Sequence, residues 1–228
     1  MKKKIISIFL IILVILGLYY YYQLPYIHNI LLTNPKYLHT KINGTIPANK
    51  LPESDNGIKF TYSFWIYIKN VPENGHWNAK YNYPKYILYR YGSPNVVYFT
   101  KTNKIRIYMS YKDSYADVVK DYVEIDDVTL QEWNNVVITI NNRELDVYLD
   151  GKLYGSLILK NIPLIFKRDL HLGEKHNNFN GHIAYLEYFN EKLDMDQIND
   201  LYNKRKSMIP NEMLTYSNEF YISYNKNN

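Results

Sequence analysis

Hydrophobic and polar positions follow two different patterns along this chain. From Ile5 to Tyr22 every position is apolar except Ser7, and Lys2, Lys3 and Lys4 precede the run. As a helix these eighteen residues would rise roughly 27 Å, close to the hydrocarbon thickness of a bilayer. No polar face at helical spacing interrupts them, as one would in a helix buried on one side of a core. The run ends in Tyr19 to Tyr22 rather than in the small residues of a cleavage site, and tyrosine rings suit the headgroup zone. Residues 1–22 therefore read as cytoplasmic lysines followed by an uncleaved transmembrane anchor. The lysines place the N-terminus in the cytoplasm and the C-terminal bulk outside.

Past Asn56-Gly57 the pattern changes to period two. Phe60, Tyr62, Phe64, Ile66 and Ile68 fall on one face, the signature of a strand packed on a core. Val136, Ile138 and Ile140 alternate, Asn141 to Glu144 turn the chain, and Leu145, Val147 and Leu149 alternate again. Asp150-Gly151 is a two-residue turn leading to a third strand through Leu153 and Leu159. Shorter strands are predicted at 85–89, 96–100, 104–111, 118–125, 169–172 and 181–189. One helix is predicted from Asp194 to about Arg205: Asp194 caps it, Gln197 completes a capping box, and Leu193 with Ile198 forms a hydrophobic staple. The fold class is thus all-β, a two-sheet antiparallel sandwich with one short C-terminal helix, preceded by the transmembrane helix.

Between anchor and sandwich, residues 23–44 contain Pro25 and Pro35 and no sustained period, and they read as a stalk. The sandwich is assigned to 45–206 and a polar tail to 207–228. Asn43-Gly44-Thr45 is a glycosylation sequon that external topology would make usable, with Asn43 as acceptor. The absence of cysteine excludes disulfides, thiolate metal sites and cysteine nucleophiles. The net charge of +5 includes the three anchor lysines, so no basic footprint for nucleic acid remains.

Thr61-Tyr62-Ser63-Phe64-Trp65-Ile66, Glu132 to Ile138, Leu145 to Lys152, and Phe179 to Ile183 followed by the helix occur in the order of blocks seen in laminin G-like domains. The chain resembles the concanavalin A-like lectin/glucanase group, over roughly residues 45–206. The anchor and residue bias resemble the membrane-anchored variety found in large DNA viruses. The resemblance implies a jelly-roll sandwich, but such sandwiches serve lectins, adhesion modules and glycosidases alike.

An enzyme of this group needs paired carboxylates across a cleft. Glu124-Ile125-Asp126-Asp127 resembles the start of the glucanase strand motif, but Val128 and Thr129 stand where its second Glu belongs. The chain is therefore read as a non-enzyme, with a glycoside hydrolase or lyase as the alternative. No cofactor is assigned. Calcium, which many relatives would hold through loop carboxylates, has Asp113, Asp117, Asp126 and Asp127 as its candidates. His171, His176 and His182 lack zinc-site spacing, so no metal ligands are assigned. Trp65 and Trp133 lie in strand blocks and read as buried. Trp77, Tyr81 and Tyr83 lie in a polar, ring-rich loop from Asn74 to Pro84, where flat rings beside amides could stack on a sugar or a partner's apolar patch. The resulting expectation is a membrane-anchored binding or structural module on a virion or viral membrane, held in the bilayer by residues 5–22, that engages a glycan or a surface or capsid protein.

Overall fold

A computed structural model describes residues 11–16, 28–38, 44–55, 57–69, 84–126, 128–173 and 180–209. Two antiparallel sheets face each other. The first is seven-stranded, built from β1 (His28–Leu32), β2 (Lys36–Tyr37), β4 (Lys59–Ile68), β9 (Trp133–Asn141), β10 (Glu144–Leu149), β11 (Lys152–Ile158) and β13 (Gly181–Phe189). Its order is β1-β13-β4-β9-β10-β11, and β2 also pairs with β13. The second is six-stranded: β3 (Thr45–Ile46), β12 (Leu170–Leu172), β5 (Lys85–Arg90), β6 (Asn95–Phe99), β7 (Lys104–Lys112) and β8 (Val118–Ile125), in that spatial order.

The core lies between the sheets, and on the side of the seven-stranded sheet it is made by the alternating positions of β4, β9 and β10 that the sequence singles out. Phe64, Ile66, Ile138 and Val147 from one sheet meet Leu88, Tyr98, Ile105 and Ile107 from the other, all buried. The Asp150-Gly151 turn has both residues at positive φ, 50° and 77°, the geometry that lets a two-residue hairpin follow the twist of its strands. A side chain at Gly151 would meet the Tyr202 ring at 3.1 Å, so the turn also needs glycine for close approach.

The helix α1 (Met195–Lys206) has the predicted capping box: Gln197 N donates to Asp194 Oδ1 and Asp194 N donates to Gln197 Oε1, each at 2.9 Å. It covers the outer face of the seven-stranded sheet. Leu193 and Ile198 pack on Val137, Tyr148 and Phe189, while Tyr202 stacks on Trp65 at 5.5 Å between ring centroids. Ile209, beyond the helix, joins the Trp65 cluster, so part of the expected tail belongs to the domain.

The expected stalk needs correction. β1 and β2 lie inside 23–44 and pair with β13, and Leu38 is buried between the sheets. Proline and missing periodicity argued against regular structure there, but pairing to β13 supplies the order that local pattern does not. Within the apolar run, residues 11–16 are helical and exposed, and the rest lies outside the described residues. No helix among the described residues is long and apolar enough to cross a membrane.

Candidate functional site

The sandwich has two ends. At one, β1 begins at His28 opposite Phe189; at the other, β13 begins at Gly181 opposite Ile68. The Gly181 end carries a row of rings on the outer face of the seven-stranded sheet. His182 is paired in register with Tyr37 of β2 on one side and Tyr67 of β4 on the other, and Tyr67 is paired with Trp133 of β9. Strand alternation forces this placement. Ile66 and Ile183 point into the core, so Tyr67 and His182 beside them point out.

Ring centroids along the row are 5.0 Å apart for Tyr37–His182, 6.2 Å for His182–Tyr67 and 5.4 Å for Tyr67–Trp133. All four side chains are half-buried, leaving part of each ring accessible. Polar groups frame the row. Tyr37 Oη donates to Asn180 Oδ1 at 2.9 Å, and the Lys69 ammonium lies 5.1 Å from the Tyr37 ring centroid. Burial, then the Lys69 charge, pushes the His182 imidazole down to about 4, so at neutral pH it is an uncharged ring with a polar rim. Burial raises the Tyr37 hydroxyl, which stays protonated. Flat faces beside amide, hydroxyl and ammonium groups suit a ligand with both C–H faces and hydroxyls.

The sequence candidates fare unevenly. Trp77, Tyr81, Tyr83, Asn43 and His176 lie outside the described residues. The flanks of the Trp77 segment are described: Lys69 follows β4 and Pro84 precedes β5, both at the Gly181 end. Trp65 is buried as read, whereas Trp133 is half-buried and belongs to the ring row. His171 lies on the opposite sheet, with Nδ1 3.3 Å from Thr45 Oγ1. Tyr37, Tyr67 and His182 were missed as site residues. Their only sequence signal is that each sits one place from a core-facing position at a strand end, and that signal does not show which strands are neighbours.

The carboxylate candidates are neutralised by local cations. Lys104 Nζ lies 2.8 Å from Glu124 Oε1 and 2.7 Å from Asp126 Oδ1, and Arg106 Nε also donates to Glu124. Hydrogen bonds from Lys104 and then Arg106 hold the Glu124 carboxyl below its ordinary range, which is the wrong direction for a general acid. Asp113 Oδ1 accepts from Tyr115 N and Asp117 N, each at 2.9 Å, and so closes its own turn. Asp126 is turned to Lys104 and Asp127 lies outside the described residues. The described members of the calcium set therefore do not converge, and among the described residues no cluster of three or more His, Asp or Glu could hold a metal ion.

Comparison with known proteins agrees with this architecture. The profile of the concanavalin A-like lectin/glucanases superfamily matches residues 40–199. The chain belongs to that superfamily. No curated protein sequence matches it. Among solved structures, this superfamily member is similar to the binding domain of botulinum neurotoxin serotype D, with a TM-score of 0.53 and 15% identity, covering 79% of this chain and 47% of that one. It is also similar to the serotype G binding domain (0.50, 16%, 80% and 47%). A third match is the binding domain of botulinum neurotoxin DC in complex with SialylT (0.50, 16%, 78% and 46%). At these identities the likeness is one of fold, and the chain spans about half the length of each matched domain.

Proposed function

We propose that this chain is a non-catalytic glycan-binding module carried on a single N-terminal membrane anchor, with the Gly181 end of the sandwich as its recognition face. The observation that carries the reading is the in-register row Tyr37–His182–Tyr67–Trp133, four half-exposed rings framed by Asn180 and Lys69. Four adjacent strands about 4.8 Å apart make a row about 14 Å long, the scale of a short linear saccharide lying across the sheet. Fold similarity to binding domains, one of them complexed with SialylT, supports a recognition role. The ion-paired Glu124 argues against hydrolysis, and resemblance to membrane-anchored proteins of large DNA viruses supports display on a virion or viral membrane.

A glycan array probed with the detergent-solubilised full chain tests this. Wild type should bind at least one glycan class, and Trp133→Ala should weaken that binding by about 2 kcal/mol, the usual cost of losing an aromatic anchor. No glycan bound, together with a co-purifying structural protein, would transfer the row to a protein partner. Undiminished glycan binding by Trp133→Ala would place the glycan elsewhere. The anchor is tested separately: alkaline carbonate should leave the full chain in the membrane fraction, and release of a fragment beginning near Gln23 would mean a cleaved signal.

A further inference from the structure

The expected spacer between bilayer and domain is far shorter than residues 23–44. β1 begins at His28, so only five residues, Gln23 to Ile27, separate it from the apolar run. Their covalent reach from Tyr22 to His28 is at most about 20 Å even when fully extended. β1 meets the sandwich at one particular end, because His28 pairs with Phe189 and Phe189 with Thr61. The opposite end lies about 27 Å farther along β13 at strand rise.

The loops at the His28 end form one hydrogen-bonded surface. Asn142 N donates to Ile58 O, Leu159 N to Arg143 O, Leu164 N to Ser110 O and Ser110 N to Gly92 O, and the Asn161 amide donates to Lys112 O. Large apolar side chains project from it: Tyr115 is 85% exposed, Ile158 61%, Tyr91 54% and Ile162 51%. Exposed Lys112, Arg143 and Lys160 lie among them. Of the nearby acids, Asp113 is occupied by its own turn, Asp117 is exposed beside it, and Glu144, opposite Ile158, is paired with Lys192 at 2.9 Å. Exposed aromatics and aliphatics mixed with basic side chains match the chemistry of an anionic membrane interface.

We propose that the His28 end of the sandwich rests on the headgroup surface of the bilayer, inserting Tyr115 and Ile162 while Lys112 and Lys160 meet anionic lipid. The proposal rests on the anchor at residues 5–22. The domain then stands end-on, and the ring row at the Gly181 end points away from the membrane.

The chain has no cysteine, so single labels can be placed without background. The full chain carrying a fluorophore on Tyr115→Cys, Ile162→Cys or, at the opposite end, Glu132→Cys is reconstituted in phosphatidylcholine vesicles containing phosphatidylserine and a headgroup-quencher lipid. The Tyr115→Cys and Ile162→Cys labels should lose most of their fluorescence while the Glu132→Cys label keeps it. Lys112→Glu with Lys160→Glu should restore part of the Ile162→Cys signal. Equal quenching at both ends, or stronger quenching at Glu132→Cys, overturns the proposal. Self-quenching of the Tyr115→Cys label that rises with protein density, with little quenching by lipid, assigns this end to a second copy and also overturns it. Carbonate extraction of the same vesicles separates the two premises. A chain retained but unquenched at Tyr115→Cys defeats only the docking, and a chain released defeats the anchor and the docking together.

Discussion

Glu187 should be the most consequential charge in the domain. Its carboxylate is fully buried, with Oε1 2.6 Å from Arg205 Nε on α1 and Oε2 2.6 Å from His28 Nε2 on β1. Arg205 is itself buried, and its guanidinium lies 5.1 Å from the Tyr185 ring centroid. Glu187→Gln keeps the size but leaves the guanidinium without a counter-charge, and removing one partner of a buried pair costs about 3–5 kcal/mol. For a domain of this size that is a fall in Tm of about 6–20 °C. Urea or thermal unfolding of the variant measures it, and a cycle with Arg205→Met isolates the pair. With both charges removed, the double variant should be no less stable than the worse single one, because no uncompensated charge remains. A Glu187→Gln variant within about 1 kcal/mol of wild type would refute the argument and leave the cluster as an incidental contact. The functional weight of this cluster comes from β1, the strand that follows the apolar run, which it ties to both sheet and helix.

The remaining tests concern the site. His182 has a folded pKa of about 4 against an ordinary 6.5, so the unfolded chain takes up its proton first; its contribution to stability should be complete above pH 6.5 and disappear as pH falls toward 4. His182→Phe should flatten the dependence of the urea midpoint on pH in that window, and an unchanged slope would show that the imidazole is not desolvated. If Trp77 is a recognition residue, Trp77→Ala should weaken ligand binding by about 2 kcal/mol with little change in Tm; a loss of about 3 kcal/mol in stability would retire it from recognition. Neither wild type nor Glu124→Gln should turn over β-glucans, and turnover by wild type that vanishes in the variant would restore the hydrolase reading.

Most of the sandwich was legible as alternation. Strand β4, the β9-β10-β11 hairpins and the capped helix follow from a period of two, a two-residue turn at positive φ and a capping box, all local signals. β1, β2 and β3 were not legible, since they are short, flanked by prolines or polar residues, and ordered only by pairing with β13 and β12. Local sequence read Trp133 as a buried strand residue and gave no sign of its neighbours. The ring row exists because register places Tyr37, His182, Tyr67 and Trp133 side by side from four separate stretches of chain.

By itself, the sequence determined the apolar run, the core-facing side of β4, β9 and β10, the Asp150-Gly151 turn and the capped helix, because each depends on residues within a few positions of one another. Tertiary structure decided what the outward-facing side of each strand does. Trp65 is covered by α1, while Tyr67, two residues on, remains half exposed. It also decided the place of Glu187. Strict alternation from Ile183 would point Glu187 into the core, but Tyr185 at φ 46° shifts the register of β13. Leu186 and Tyr188 then face inward, and the carboxylate turns out beneath Arg205. Such a shift costs backbone strain at one residue and is stabilised only by partners from β1, β4 and α1, which no local stretch of sequence contains.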